Sequence, residues 1–170
     1  MNKAYLISVV IVLSLVFIFS CNKDDSSYSK ILYENSFEKD SDTIGWKGYC
    51  FTQFVDEGAP GCGDRSIGIS CGCIAPYTNF KIGPFDDSYD VVISVWAKSS
   101  GNGGGIGLKS SAGEIEIWVD PQETQNWKHF NSKDTLHCPA NEEIRFFLFA
   151  GGLITGAIQI DKLQVKAVEQ

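Results

Sequence analysis

The chain has 170 residues, and its 14 basic and 21 acidic side chains give a formal net charge of −7. That length allows one domain, or one domain and a tail, and the acidic balance argues against nucleic acid or an anionic membrane surface as a partner. Aromatic residues at 12%, with 17 Gly and only 5 Pro, are typical of a folded chain and exclude a disordered or collagen-like one.

Residues 1–20 have the pattern of an export signal. Lys3 is the only charge before position 23, and an apolar run then extends to Ser20. The segment Ile18-Phe19-Ser20-Cys21 resembles a bacterial lipobox, which implies cleavage before Cys21 and acylation of that residue. The alternative is an uncleaved helix with an unmodified Cys21, since 17 apolar residues approach the length that spans a bilayer.

Residues 21–29 are polar and predict a flexible tether. Lys23-Asp24-Asp25 resembles the surface-export signal of lipoproteins in certain Gram-negative bacteria, although a solvated tether alone would also explain it. The resemblance implies an outer membrane lipoprotein that faces the cell exterior and contacts the membrane only through the Cys21 lipid anchor.

Residues 30–170 predict a single all-β domain. Short alternating runs are separated by Gly, Asp, Asn and Ser, and no window has a convincing helical repeat. We therefore expect a β-sandwich or barrel of about 8–10 antiparallel strands. The predicted strands are Ile31–Phe37, Trp46–Phe54, Arg65–Cys71, Tyr77–Ile82, Tyr89–Ala97, Gly105–Lys109, Glu114–Val119, Trp127–Ser132, Ile144–Ala150 and Ala157–Val168.

An ordered set of short motifs resembles the galactose-binding-domain-like jelly rolls. The motifs are Asn35-Ser36-Phe37-Glu38, Gly45-Trp46, Gly63 to Ile69, Tyr89 to Lys98, Trp127 to Phe130, and Ile160 to Val165. The resemblance implies a jelly-roll β-sandwich. Many members of this group are carbohydrate-binding modules, so it also implies a glycan ligand, by analogy of fold only.

Strand alternation predicts the surface that binds. Three strands place an aromatic residue opposite their aliphatic face, and polar residues share that outward side. An aromatic ring that stacks on a sugar, flanked by charged hydrogen-bonding groups, is a suitable arrangement for glycan recognition. The candidate ligand-binding residues are Trp118, Trp96, Glu116, Arg145 and Phe147.

The same aromatic residues suit other roles. An exposed cluster with Trp and Arg also favours a protein interface, so a protein-interaction or adhesin-type lipoprotein subunit is the alternative function. Any one of these rings could instead pack beneath loops, because Trp is highly buried on average. Trp46 and Trp127 occupy positions that match the fold motifs, and we predict both in the core.

Glu38 and Asp161 match the first-strand and last-strand positions at which related jelly rolls often hold a structural Ca²⁺. Carboxylate oxygens suit that ion, which would join the two ends of the domain rather than perform chemistry. The alternative is a pair of solvated carboxylates at strand ends.

The remaining cysteines and histidines do not predict an enzyme. With Cys21 acylated, an odd number of cysteines is left for disulfides in an oxidising compartment, namely Cys50, Cys62, Cys71, Cys73 and Cys138. The alternative is a zinc site that uses Cys62, Cys71 and Cys73 with either Cys138 or His137, although Cys-x-Cys spacing is tighter than in common structural sites. The sequence singles out no catalytic carboxylate pair, and an adjacent His-Cys dipeptide is a poor nucleophile signal.

Overall fold

The computed structural model describes residues 28–46, 51–70, 80–151 and 156–168. Within these ranges the secondary structure is eleven β-strands and one short 3-10 helix, Asp40–Thr43. None of the described residues belong to a helix long and apolar enough to cross a bilayer. The predicted signal and most of the predicted tether lie outside the described residues.

The strands follow one another in chain order with short connections. They are β1 (Tyr28–Asn35), β2 (Phe51–Val55), β3 (Ser66–Ser70), β4 (Lys81–Ile82), β5 (Tyr89–Ser100), β6 (Gly104–Ser110), β7 (Gly113–Val119), β8 (Lys128–Asn131), β9 (Leu136–Cys138), β10 (Ile144–Ala150) and β11 (Ala157–Val168).

The strands form two antiparallel sheets that pack face to face. In the seven-stranded sheet, β11 pairs with β5 on one side and with β3 and β1 on the other; β2 extends beyond β3, and β8 and β9 pair with β5. The four-stranded sheet has the order β4-β10-β6-β7. This arrangement confirms the prediction of an all-β sandwich.

The core lies between the two sheets and is filled by the inward residues of each alternating strand. From the four-stranded sheet come Ile106, Leu108, Ile115, Ile117 and the fully buried Phe146. The long strands β5 and β11 contribute aliphatic residues from the other side. Burial of this apolar area is the main favourable term in folding.

Each predicted strand overlaps an observed one, and the differences have local causes. β1 begins at Tyr28, two residues before the predicted start of the domain. β9 was not predicted, because three residues that end before Pro139 carry too little alternation to indicate a strand. Parts of three predicted strands, at 47–50, 71 and 77–79, lie outside the described residues.

The two tryptophans that we expected in the core differ. Trp46 is fully buried and stacks on Phe80, with ring centroids 5.1 Å apart. Trp127 is only partly buried, which corrects the prediction. It precedes β8 instead of lying within it, and the Lys98 ammonium lies 5.1 Å from the centroid of its ring.

Candidate functional site on the outer face of the four-stranded sheet

The outer face of the four-stranded sheet is formed by the residues of β10, β6 and β7 that point away from the core. Because the three strands pair in register, these residues form three rows across the sheet. The rows are Phe149–Gly105–Trp118, Phe147–Gly107–Glu116 and Arg145–Lys109–Glu114.

Two glycines of β6 form the floor of this face. A Cβ atom built on Gly107 would overlap the ring of Phe147, and one built on Gly105 would lie 2.7 Å from Cζ of Phe149. Carbon atoms in ordinary contact are about 3.5–4.0 Å apart. The two phenylalanine rings therefore lie across the β6 backbone in space that a side chain at either position would fill.

The rings of Phe147, Phe149 and Trp118, here called the aromatic track, run across the sheet. The centroids of Phe147 and Phe149 are 6.3 Å apart with ring planes at 22°, and those of Phe149 and Trp118 are 5.8 Å apart at 38°. Trp118 is 48% exposed, whereas Phe147 is 7% exposed. The track is therefore a gently bent apolar surface whose most accessible ring is the indole.

Polar groups border the track on one side. Partial burial raises the pKa of the Glu116 carboxyl, and the negative charge of Glu114 adds to the rise. Arg145 is exposed and lies one row beyond Phe147. A depression of about 340 Å³ adjoins this row, and its lining includes Arg145, Phe147 and Lys109.

The structure brings together four of the five residues predicted to bind a ligand. Trp118, Glu116, Arg145 and Phe147 share the outer face of the four-stranded sheet. Phe147 supports the other rings of this face more than it offers a contact to a ligand, because so little of its ring is exposed. Trp96 is the exception.

Trp96 lies on the opposite side of the sandwich, on the outer face of the seven-stranded sheet. It pairs with His129 of β8 and packs against that side chain, with ring centroids 5.5 Å apart. His129 Nε2 in turn lies 2.9 Å from Oγ of the buried Ser94. Trp96 is thus part of a polar cluster separate from the aromatic track.

The candidate residues omit Phe149, and sequence reasoning missed the glycine floor. Alternation does place Phe149 on the outward side of β10 with Phe147, which is where the structure has it. The signal for the floor was the alternation of Gly105 and Gly107 with Ile106 and Leu108. The run of glycines just before it instead resembles a loop.

Asp161 is a buried carboxyl at the outer face of the seven-stranded sheet. Its Oδ2 accepts a hydrogen bond from the backbone N–H of Ala59 at 2.8 Å, and its Oδ1 accepts one from that of Lys162 at 2.6 Å. Burial raises its pKa to about 6, and the charge of Glu38 contributes to the rise. Asp161 therefore ties the loop before β3 to the bend in β11.

Glu38, which follows β1 in the chain, binds the same loop. Its two carboxylate oxygens accept hydrogen bonds from the backbone N–H groups of Asp64 and Arg65, at 3.3 and 3.2 Å. Two interacting carboxyls, one of them buried, have the charge that a cation site requires. A bound cation would compensate both the desolvation of the buried carboxylate and the repulsion between the two carboxylates. They are only two of the six to eight oxygens that Ca²⁺ takes, so backbone carbonyls or water would have to supply the rest.

The cysteine predictions are tested only at Cys138. This thiol is buried, forms no disulfide, and has its pKa raised to about 12, mainly by burial. Cys50, Cys71 and Cys73 lie outside the described residues, so the disulfide pairing stays a prediction. The described ranges contain no group of three or more His, Cys, Asp or Glu placed to hold a metal ion.

Two histidine pairs resemble parts of catalytic sites. His137 Nδ1 lies 2.9 Å from Oδ1 of Asp90, but the neighbouring Cys138 thiol is too weak an acid to supply a thiolate at neutral pH. Ser94 beside His129 is 1% exposed, so its hydroxyl is closed to a substrate. Neither pair presents a reactive nucleophile.

The sequence matches no protein-family model and has no significant similarity to a curated protein. The structure does resemble solved structures. One is the CBM22 xylan-binding domain from Paenibacillus barcinonensis, with a TM-score of 0.55 and 17% identity over 85% of this chain and 98% of that one. Another is a CBM6 carbohydrate-binding module of a Cellvibrio mixtus lichenase in complex with cellotriose, with a TM-score of 0.52 and 11% identity over 82% of this chain and all of that one.

A third similar structure is a Clostridium thermocellum xylanase fragment of CBM22 and GH10 modules, solved with xylohexaose. It has a TM-score of 0.52 and 15% identity over 82% of this chain and 28% of that one. At such identities the likeness establishes the fold. The chain has the jelly-roll β-sandwich fold of carbohydrate-binding modules.

Proposed function

We propose that this protein is a non-catalytic glycan-binding module whose binding surface is the outer face of the four-stranded sheet. The observation that carries the proposal is the aromatic track, because its three rings lie side by side and its end ring, the indole of Trp118, is open to solvent. The fold that the chain shares with a xylan-binding domain and with a module in complex with cellotriose supports the same function.

The track has the chemistry that recognition of a sugar requires. The C–H face of a sugar ring is apolar and packs on an aromatic ring, while its hydroxyls need hydrogen-bond partners at the edge of the stack. Trp118 would be the main stacking platform, since it is the most exposed ring. Glu116 and Arg145 flank the track and would accept from and donate to those hydroxyls.

The test compares two tryptophans that differ in location. Trp118→Ala should weaken binding by roughly ten- to a hundredfold, which corresponds to about 1–3 kcal/mol for a well-covered aromatic contact. Trp96→Ala removes the same side chain from the other sheet and should leave affinity unchanged. Isothermal titration with a glycan identified on an array of immobilised glycans measures both variants.

Three outcomes would contradict the proposal. Equal affinities of Trp118→Ala and the wild type would move the site away from the track. Unfolding of the Trp118→Ala variant, read from circular dichroism, would make the indole a structural residue. If the wild type binds no glycan but binds a protein partner, and Trp118→Ala no longer binds that partner, the adhesin-type alternative is favoured.

Lipid anchoring at the cell surface forms part of the same proposal. It is supported by Ile18-Phe19-Ser20-Cys21 and by the Lys23-Asp24-Asp25 motif. One acyl chain gives only marginal membrane binding, so stable anchoring requires more than one. Cys21→Ser should release the protein from membranes and abolish acyl labelling, and alanine at positions 23–25 should reduce protease accessibility on intact cells.

A structural calcium ion is the last component of the proposal. Glu38 and Asp161 would be its carboxylate ligands, and the ion would neutralise their charge and hold the loop before β3 in place. A chelator should then lower the melting temperature through the loss of linked ligand, and added Ca²⁺ should restore it. A melting curve that responds to neither treatment would reject the site.

A further inference from the structure

Three cations lie side by side at one end of the aromatic track. Arg145 of β10 pairs with Lys81 of β4 on one side and with Lys109 of β6 on the other. Partners directly opposite in antiparallel strands point to the same face, so the three side chains form a row next to Phe147. Glu142 and Glu143 line the same depression as the row, so this surface carries charges of both signs.

The three cations differ in how they are neutralised. Lys81 forms an ion pair with Glu143 at 2.6 Å, and Lys109 forms one with Glu114 at 3.1 Å. Arg145 stands between them and is exposed, and its guanidinium makes neither an ion pair nor a hydrogen bond with the described part of the chain. The central cation of the row therefore has its guanidinium donors free for a ligand.

The position of Arg145 makes it reachable by a ligand on the track. Arg145 and Phe147 are two residues apart on the same outward side of β10 and both line the depression of about 340 Å³. A polysaccharide stacked on Phe149 and Trp118 that continues along β10 would place its next substituents over this depression.

We propose that the glycan is anionic and that Arg145 binds its acidic groups, an inference that rests on the proposed function. A guanidinium has a planar fork of donors that matches the oxygens of a carboxylate or a sulfate and binds them bidentately. Arg145 thereby selects sugars that carry such a group, while the aromatic track binds their ring faces and Glu116 their hydroxyls.

The experiment compares four polymers by affinity electrophoresis and titration calorimetry. They are polygalacturonate, its methyl ester, a sulfated galactan and neutral xylan. The wild type should bind an acidic polymer at least tenfold more tightly than the methyl ester or xylan, and this preference should shrink as salt is added. Preference for polygalacturonate identifies a carboxylate as the acidic group, and preference for the galactan identifies a sulfate.

Arg145→Gln should lose that preference, about tenfold in affinity, and keep the residual binding that stacking provides. Lys133→Gln, which removes an exposed cation near β9, is the matched control and should bind as the wild type does. Both substituted side chains are exposed, so both variants should fold, which circular dichroism checks.

The outcomes separate this inference from the function on which it rests. Binding to neutral and acidic polymers alike, lost in Trp118→Ala and unchanged in Arg145→Gln, overturns the anionic ligand and leaves the glycan-binding face intact. If Lys133→Gln reduces the preference for acidic polymers as much as Arg145→Gln does, the preference comes from the overall charge of the protein. That result would overturn the role of Arg145. Failure of all four polymers to bind overturns both proposals.

Discussion

The two outer faces of the sandwich use their side chains in different ways. On the seven-stranded sheet, polar residues satisfy one another: Asp161 accepts backbone amides, Lys98 pairs with Glu57 at 2.5 Å, and Ser94 contacts His129. On the four-stranded sheet, the aromatic rings pack over the glycines of β6, and the guanidinium of Arg145 makes no ion pair or hydrogen bond with the residues described.

The difference supports the proposal that the binding surface lies on the four-stranded sheet and not on the seven-stranded one. Where polar groups are already paired, a ligand must break existing contacts to bind, whereas open rings and an unpaired guanidinium gain contacts without that cost. The presence of a tryptophan does not distinguish the faces, since each has at least one. The residues around each tryptophan do distinguish the two faces.

Asp161→Ala should produce the largest change, and in stability rather than in binding. The substitution leaves two amide N–H groups without an acceptor, at a cost of about 1–3 kcal/mol for each one that stays buried. Chemical denaturation measures the loss. The control is Glu57→Ala, which breaks a partly exposed ion pair and should cost at most about 1 kcal/mol. Weakened glycan binding by refolded Asp161→Ala would mean that the two faces are coupled.

Gly107→Ala should have the next largest effect, because it fills the floor of the aromatic track. The new methyl group would overlap the Phe147 ring, and overpacking of this kind costs about 1–3 kcal/mol. Glycan affinity should fall as the ring is displaced. Lys109→Ala, two residues along the same face, should leave the unfolding midpoint nearly unchanged. A Gly107→Ala variant as stable as the wild type would show that the ring moves aside freely.

Glu116→Gln should give the smallest effect, and its sign depends on pH. Since burial raises the pKa of Glu116 in the folded protein, its contribution to stability is present at low pH and is lost as pH rises through that raised value. The glutamine variant should therefore melt at a higher temperature than the wild type at pH 7, and at about the same temperature at pH 4.

The pKa of Glu142 is shifted in the opposite direction, so the melting temperature of its glutamine variant should change with the opposite sign. Hydrogen bonds from the side chain and backbone of Ser111 lower the pKa of its carboxyl, so its contribution is present at neutral pH and is lost as pH falls. Glu142→Gln should melt at a lower temperature than the wild type at pH 7. If both variants shift the melting temperature at pH 7 in the same direction, the opposite pKa shifts of Glu116 and Glu142 are contradicted.

Alternation along single strands predicted much of this structure. It is a local property, so the sequence of β7 alone places Ile115 and Ile117 in the core and Trp118 outside, as observed. The same reasoning holds for Phe146 and Phe147 of β10. The polar neighbours Glu116 and Arg145 follow from the same pattern.

Sequence could not tell which strands are neighbours. Trp96 and Trp118 have equivalent patterns, yet β5 and β7 belong to different sheets, because pairing depends on contacts far apart in the chain. The floor was hidden for another reason. Gly105 and Gly107 matter because they have no side chain, which leaves space for the rings of Phe149 and Phe147. The pattern of side chains in the sequence does not show which residue occupies that space.

The Cys138 thiol is buried and forms no disulfide, and without it the other cysteines of the acylated chain are even in number. If Cys21 carries acyl chains, the cysteines that remain are Cys50, Cys62, Cys71 and Cys73. In an oxidising compartment four cysteines can close two bridges, in three possible pairings. A maleimide reagent should then label no site on the folded, oxidised protein and one site per chain after denaturation without reductant.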